Sequence, residues 1–330
     1  MNEYFVSVYD EELERKAILT TFQSLVWEEG YNSEGTFQLE CVLDEELVEV
    51  FQPEYYCGLT GHDTLMVIKS IQAENEAIIV NGYPATHVFA DRVSVTEIYN
   101  ENAETAMRSL FSEMDAYPCF ELGDLKGLEE TFTAQTSDQT LQEYFETIAQ
   151  ACDYGFRMRH DAANKKLLFE IYQGEDDVNA KFSTNYGNIT NIGYERSTVD
   201  YKNVAVVAGE GEGDDRVTVY AGATDTTGAD RREMYVDARS EQKEDDETDA
   251  EYKESLVATG EEKLLEQLET ESISFTIDDD SVSLGDVVSC YLPEIGINLQ
   301  ARVSVIEEVY QDNTMERNIT IGTPVIVRRY

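Results

Sequence analysis

The stretch LVWEEGYNSEGTF, residues 25–37, has the pattern of a β-hairpin. Large apolar residues alternate with other residues on both sides of a glycine-rich turn, and this favours two antiparallel strands. Further strand-like runs lie at residues 4–9, 65–71 and 77–80. Short strands at close, even intervals are typical of a small barrel or sandwich, so we expect a first β-barrel over residues 1–95.

Helical periodicity begins after residue 95. Apolar residues recur three and four positions apart over residues 102–115, and again in the stripe Leu141, Tyr144, Phe145, Ile148 and Cys152. Ser137 is the expected N-cap of the second helix. Strand-like runs at 156–159 and 167–171 follow and flank a turn. These features predict an α+β module over residues 96–180.

The chain returns to strands from about residue 181, and we expect a second β-barrel over residues 181–330. It contains a predicted charged helical insertion at about 236–271. The run 241–249 in this insertion is nearly all charged, which is typical of a solvated loop. The predicted fold class is therefore mainly β with an α+β insert, built on two related small β-barrels.

Shared spacings indicate that the two barrels arose by internal duplication. The intervals two, one, nine and two separate Leu25, Trp27, Glu28, Phe37 and Leu39, and equally Ile192, Tyr194, Glu195, Val204 and Val206. A second match joins Val67, Ile68, Ile71, Gly82 and Pro84 to Val305, Ile306, Val309, Gly322 and Pro324. Strand alternation also produces such matches by coincidence. The duplication predicts that Trp27 and Tyr194 occupy equivalent inward positions.

The chain is strongly acidic. It has 24 Lys and Arg against 68 Asp and Glu, a formal net charge of −44. Such a surface repels nucleic-acid backbones and anionic membranes, so we expect no specific nucleic-acid binding. Improved solubility and salt adaptation are the alternative explanations. The apolar runs are strand-sized and the start resembles no secretory signal, so we expect no membrane-spanning segment and synthesis in a cytoplasm.

The cysteine pattern predicts buried thiols instead of a disulfide framework. The count is odd, the gaps are wide and CxxC pairs are absent from positions 41, 57, 119, 152 and 290. Three histidines are scattered at His62, His87 and His160. His62 and His160 each precede an aspartate, but the sequence has no GxSxG, catalytic-cysteine or HExxH motif beside them.

Three other patterns suggest ligands without meeting their requirements. The run GEGEG at 209–213 lacks GxGxxG spacing, and its carboxylates would repel a phosphate, so a hairpin tip is favoured. The acidic pairs and triplets at 176–177 and 278–280 lack the spacing of an EF-hand. We therefore predict no catalytic, cofactor-binding or metal-binding residues and no cofactor, and expect that the protein is not an enzyme.

Several stretches together resemble a known family. Residues 25–37, NVAVVAGEG at 203–211, DRRE at 230–233, LGDVV at 284–288 and ARV at 301–303 are similar, in this order, to siphovirus tail-hub proteins of the ReqiPepy type. The resemblance spans nearly the whole chain. It implies the architecture of the T-even phage baseplate hub, in which two barrels per subunit and three subunits form a ring of pseudo-sixfold symmetry.

The resemblance also implies a function. We expect a structural hub of a phage or prophage tail tip, made in the bacterial host cytoplasm and located in the virion tail. As a homotrimer it would join the tail tube to the tip around a channel. The implied partners are the distal tail protein, the tape-measure protein and tip or receptor-binding proteins. A tail-associated peptidoglycan hydrolase or peptidase, and the hub of a phage-like secretion or injection system, are the alternatives.

Overall fold

The computed structural model describes residues 4–322 apart from 97, 115–116, 135–138, 244–246, 266, 279, 281 and 313. For residues 134, 176–179 and 214 it describes the backbone alone. Strands dominate the described chain, and helices are fewer. The predicted mainly β fold is confirmed.

The first β unit is built from seven strands and one short helix. These are β1 (Val6–Tyr9), β2 (Arg15–Leu19), β3 (Ser24–Gly30), β4 (Phe37–Val42), α1 (Glu45–Val50), β5 (Tyr56–Leu59), β6 (Met66–Glu74) and β7 (Ala77–Pro84). Hydrogen bonding places them in the order β3-β4-β7-β6-β5-β1-β2. Alternate residues of the predicted hairpin, Leu25, Trp27, Phe37 and Leu39, are buried in its core, as period-two alternation requires.

The middle module contains the two predicted helices and the predicted hairpin. Its elements are β8 (Ile98–Asn102), α2 (Ala103–Glu113), β9 (Phe120–Leu122), β10 (Thr131–Ala134), α3 (Leu141–Cys152), β11 (Gly155–Asp161) and β12 (Lys166–Tyr172). The N-cap of α3 is Thr140 instead of Ser137, which lies outside the described residues. Thr140 and Glu143 form a reciprocal capping box, which needs Glu or Gln at the third helical position.

The rest of the chain holds the second β unit and an insertion. In chain order the elements are β13 (Asp176–Ser183), β14 (Thr190–Ser197), β15 (Val204–Ala208), β16 (Thr218–Gly222), β17 (Glu233–Asp237), α4 (Asp249–Leu265), β18 (Thr270–Ile277), β19 (Val287–Leu292), β20 (Ile297–Gln311) and β21 (Thr314–Gly322). The strands of the second unit follow the order β14-β18-β21-β20, and β19 connects β20 to β13.

The insertion is larger than the predicted 236–271. Strands β15, β16 and β17 form a sheet of their own, and α4 covers one face of it. The spacing match of Val204 and Val206 to Phe37 and Leu39 is therefore wrong, because β15 pairs with β16 and β17 and not with β14. The physical reason is a separate small core, in which Val207 and Ala221 pack against α4. A Cβ at Gly260 would lie 2.5 Å from Val207 Cγ2, so glycine permits the close approach of helix and sheet.

The two β units share a strand order. In the first unit β3, β4, β7, β6 and β5 are successive neighbours, and in the second unit β14, β18, β21, β20 and β19 are. A register shift interrupts the β6–β7 ladder after Ile68 and the β20–β21 ladder after Val303. Facing residues can be followed from strand to strand. Ile68 leads across β7 and β4 to Trp27 on β3, and Val303 leads across β21 and β18 to Tyr194 on β14. Trp27 and Tyr194 therefore occupy equivalent ladder positions.

Two details of the predicted duplication need correction. On the ladders Phe37 corresponds to Ile273 and not to Val204, because β15 belongs to the insertion. Trp27 is 1% exposed, whereas Tyr194 is 44% exposed, so only one of the two is inward in the single chain. Their equivalence lies in the backbone, and their burial differs because β3 has neighbours on both edges.

The second set of matched spacings is out of register. Ile68 corresponds to Val303, three residues before the expected Ile306. Pro324 lies outside the described residues. Spacing alone does not fix this register, because apolar alternation recurs at every second residue and a bulge adds one more.

Strand β3 also pairs with β20, which joins the two β units directly. The antiparallel ladder runs from Gly30 opposite Val305 to Ser24 opposite Gln311. Among the described residues, the strands of both units thereby belong to one sheet of 13 strands. The position of each β unit relative to the other is therefore set by backbone hydrogen bonds as well as by side-chain packing.

Tyr31 follows β3 at the point where both β units meet the middle module. Its hydroxyl donates to the carbonyl of Asp153 at 3.1 Å, and its ring is fully buried. A Cβ at Gly155 or at Gly285 would lie 2.4 Å from the ring, so both sites require glycine. Arg302 lies over the same ring and forms a salt bridge with Asp153.

Replacing Tyr31 tests this three-way contact. We expect Tyr31→Ala to lower the free energy of unfolding by about 3–5 kcal/mol, because it leaves a cavity among three units. Tyr31→Phe keeps the ring, and loss of the hydroxyl should cost about 1 kcal/mol. Thermal and urea unfolding measure both changes. Tyr186→Ala is the matched control, since Tyr186 is 64% exposed, and an equal loss there would contradict the interpretation.

Candidate functional site

A partly buried cluster of charged groups lies at the junction of the two β units. His62 is held between a carboxylate from each unit, with Nδ1 at 3.2 Å from Glu29 Oε2 and Nε2 at 2.9 Å from Glu308 Oε2. Glu29 lies on β3 and Glu308 on β20, so the paired strands bring them to the same place. The imidazole therefore bridges the two units.

Other side chains complete the hydrogen bonding of the two carboxylates. Thr64 donates to Glu29 Oε1 at 2.6 Å, and the Trp27 indole donates to Glu29 Oε2 at 3.2 Å. The Tyr310 hydroxyl donates to Glu308. Arg317 Nε lies 3.7 Å from Glu308 Oε1. Each carboxylate thus has several partners, as buried charges need.

The carboxylates determine the protonation of His62. Burial opposes its charged form, but the bonds to Glu29 and Glu308 outweigh burial and raise the pKa of His62 to about 9. Burial likewise opposes the charged forms of both glutamates, and the bonds to His62 hold each glutamate pKa below its usual range. At neutral pH two negative charges therefore face the positive charges of His62 and Arg317.

This geometry favours a structural role over catalysis. A general base needs a free nitrogen and a pKa near the working pH, whereas both nitrogens of protonated His62 are engaged. The two hydroxyls in the cluster, those of Thr64 and Tyr310, each donate to a carboxylate. The arrangement can hold two strands in a fixed register, because each partner comes from a different segment.

A cavity of about 490 Å³ lies beside the cluster, between the two β units and the middle module. Glu29, Asp63, Arg157 and Glu170 are among its lining residues. Arg157 donates to Glu170 at 2.9 Å and lies 3.4 Å from Asp63, so its charge is already matched by these acids. These four charged groups on the cavity wall thus bind one another or His62.

The structure places the other two histidines apart from the cluster. His160 lies on β11, where its ring meets Tyr9 edge-on at 5.1 Å and burial lowers its pKa. His87 stacks on Tyr83 at 4.2 Å and lies 2.6 Å from Glu34. The three histidines are therefore not brought together, and each contacts its own neighbours.

The remaining sequence candidates lie in separate parts of the fold. All five cysteines are buried free thiols, as predicted. The run 209–213 begins the connection between the antiparallel strands β15 and β16, which confirms the predicted hairpin tip. The side chains of Asp176 and Asp177, and all of Asp279, fall outside the described residues. Among the residues described, no three His, Cys, Asp or Glu side chains are grouped to hold a metal ion.

Membrane crossing by a helix finds no support. Within the described ranges, the helices are too short or too polar to span a bilayer.

Sequence reasoning missed the junction residues Glu29, Glu308 and Tyr31. Glu308 and His62 are 246 positions apart, so spacing cannot connect them. A signal is present in β20 nonetheless. Glu308 occupies the same strand face as the buried Ile306 and Tyr310, and a carboxylate at an inward position requires a partner.

Comparison of the whole sequence with protein families gives one match. The sequence profile of the siphovirus ReqiPepy6 Gp37-like proteins matches residues 5–323. The chain belongs to this family. The resemblance read from the sequence motifs is thereby confirmed, and it covers both β units, the middle module and the insertion.

Solved structures of phage tail proteins share the fold of this family member. The tail protein from Neisseria meningitidis MC58 aligns with a TM-score of 0.57 at 12% identity, over 97% of each chain. The prophage tail protein gp18 from Listeria monocytogenes EGD-e aligns with a TM-score of 0.55 at 12% identity, over 98% of this chain and 95% of that one. The 43 kDa tail protein of prophage MuSo2 from Shewanella oneidensis gives 0.57 at 10% identity, over 96% and 98%. A comparison with curated proteins finds no match.

The junction cluster predicts a pH dependence of stability. The pKa of His62 is about 9 in the folded chain and about 6.5 when unfolded. Its contribution is fully present below pH 6.5 and is lost as the pH rises through 9. We expect this loss to amount to about 3 kcal/mol, measured by urea unfolding at a series of pH values.

The variant His62→Gln should remove that part of the pH dependence and lower stability at neutral pH. His160→Gln is the control, because burial lowers the pKa of His160 and its contribution has the opposite sign. An unchanged slope between pH 6.5 and 9 in His62→Gln would show that His62 is not the group responsible.

Proposed function

We propose that this chain is the structural hub of a phage or prophage tail tip, which trimerises to join the tail tube to the tip and surrounds a channel. The observation that carries the proposal is the pair of β units with one strand order, joined edge to edge through β3 and β20. Three such chains supply six β units, which suits a threefold tip attached to a sixfold tube. Closed cyclic symmetry is the usual way in which such copies assemble.

The proposal includes a three-part division of the chain. Residues 1–95 and 181–330 would provide the two ring units, and residues 96–180 the module between them. The insertion, with its separate core, would project from the second unit. The proposed partners are a distal tail protein, a tape-measure protein and tip or receptor-binding proteins, and the proposed location is the virion tail.

The chemistry of the junction supports a non-enzymatic role. His62 has both ring nitrogens engaged, and the lining charges Arg157 and Glu170 bind each other. These features support assembly over the alternative of a peptidoglycan hydrolase or peptidase. Membership in a siphovirus family favours a phage tail over a secretion or injection system.

The charge of the chain suits a channel that DNA traverses. A net charge of −44 per chain would give a trimer a strong negative field. Acids near the channel would keep DNA from binding, because phosphate contacts require Lys or Arg. At physiological salt only charges within about 8 Å of the DNA would act in this way.

Trimer formation is the direct test of the proposal. We expect light scattering to give the mass of three 37.4 kDa chains, either for the purified protein or for its complex with the distal tail protein. The same preparation should release no soluble fragments from purified peptidoglycan. A stable dimer in the assembled tail, or turnover of cell wall, would refute the hub assignment.

A further inference from the structure

Two of the open strand edges in the described part of the chain correspond to edges that are paired in the other β unit. Strand β14 pairs with β18 on one side, and its other edge is open. Strand β6 pairs with β5 through Met66 and Val67, and Ile68 exchanges backbone hydrogen bonds with the segment before β5. Beyond Ile68 no described strand pairs with this edge of β6. The counterparts of β14 and β6 in the other unit are β3 and β20. Those two strands pair with each other.

The open edge of β14 is apolar where its counterpart is buried. Leu25 and Trp27 on β3 are 0% and 1% exposed, whereas Ile192 and Tyr194 on β14 are 39% and 44% exposed. Strand β20 covers the edge of β3, and no described strand covers the edge of β14. An exposed apolar edge strand offers unpaired backbone groups to another chain.

We infer that β14 of one copy pairs antiparallel with β6 of a second copy, in the register that β3 adopts on β20. This inference rests on the proposed ring and specifies its interface. Each chain then offers one edge of each kind, so the contact is head-to-tail. Such contacts form a closed ring when the rotation between successive copies closes, as the proposed trimer requires. The contact within the chain thus supplies the template for the contact between chains.

The shared bulges fix the register residue by residue. Gln72 lies four residues after Ile68, and Glu307 lies four residues after Val303. The two residues therefore occupy equivalent positions on the two ladders. Glu28 faces Glu307 in the observed β3–β20 pair, and Glu195 is the counterpart of Glu28. Gln72 of one copy should therefore lie directly opposite Glu195 of the next.

The same count places Ala73 opposite Tyr194. A small residue facing a large ring leaves space for the ring to lie across the interface. In the observed junction two acids, Glu28 and Glu307, face each other, and burial together with the facing Glu307 raises the pKa of Glu28. With Gln72 at the equivalent position this repulsion is absent, so the inferred interface carries one charge fewer.

Cysteine cross-linking tests the register in the full chain. Gln72→Cys combined with Glu195→Cys puts two thiols on facing residues, whose Cα atoms lie about 4.5–5.5 Å apart in an antiparallel pair, within disulfide range. The five native cysteines are buried and do not compete. Mild oxidation of the trimeric preparation should convert most of the protein to a three-chain band on a non-reducing gel.

The off-register control is Gln72→Cys combined with Asn191→Cys. Asn191 lies four residues along β14, about 13 Å from the predicted partner, and should give no covalent trimer. Two results would overturn the inferred register: a trimer by light scattering that does not cross-link through 72 and 195, or one that cross-links equally through 191. Either result would leave the hub proposal standing. A chain that never trimerises, alone or with the distal tail protein, overturns both.

A charge at the edge tests the same contact without cysteines. Tyr194→Asp should raise the concentration needed for half-maximal trimer formation at least tenfold. Tyr186→Asp, at another exposed tyrosine, should leave it unchanged. Circular dichroism of both variants checks folding. A folded Tyr194→Asp chain that trimerises like the parent contradicts the inference.

Discussion

The antiparallel pairing of β3 with β20 is the contact on which the rest of the structure depends. It joins residues almost 300 positions apart and makes the two β units parts of one sheet. At one end of this ladder the chain turns into Tyr31, around which both units and the middle module pack. Halfway along it, Glu29 and Glu308 meet His62. The cavity, the charged cluster and the packing of the middle module all follow from this one register.

Burying Glu308 and partly burying His62, Glu29 and Arg317 at this junction is costly, and the main effect of the cluster is specificity. Removing water from each charge costs several kcal/mol, which mutual attraction only partly offsets. A one-residue slip of β20 along β3 would turn Glu308 to the opposite face of the sheet and leave His62 with one partner. Incorrect registers are therefore penalised more than the correct register is stabilised. This penalty accounts for the presence of a histidine and two glutamates at the junction of the two β units.

The features that suit this family member for assembly lie on its edges and not in a pocket. The same strand order occurs in both β units. In the first unit β20 pairs with the edge of β3, whereas no described strand pairs with the equivalent edge of β14 in the second unit. The insertion between β14 and β18 is accommodated because it has a core of its own, in which α4 covers one face of a small sheet. A scaffold of this kind can gain or lose such a segment at one turn while the shared sheet persists.

Local sequence determined the elements, and tertiary structure decided how they combine. Alternation in residues 25–37 and the apolar stripe of α3 predicted the hairpin and the helix, because side-chain period reflects backbone geometry directly. The same alternation could not assign β15 to a separate sheet or fix the register of the duplicated strands, because every half-buried strand repeats at two residues. The junction of His62 with Glu29 and Glu308 was likewise invisible, since it joins segments that only pairing of β3 with β20 brings together. Sequence therefore indicated the family and its two β units, while the contact between those units depended on long-range strand pairing.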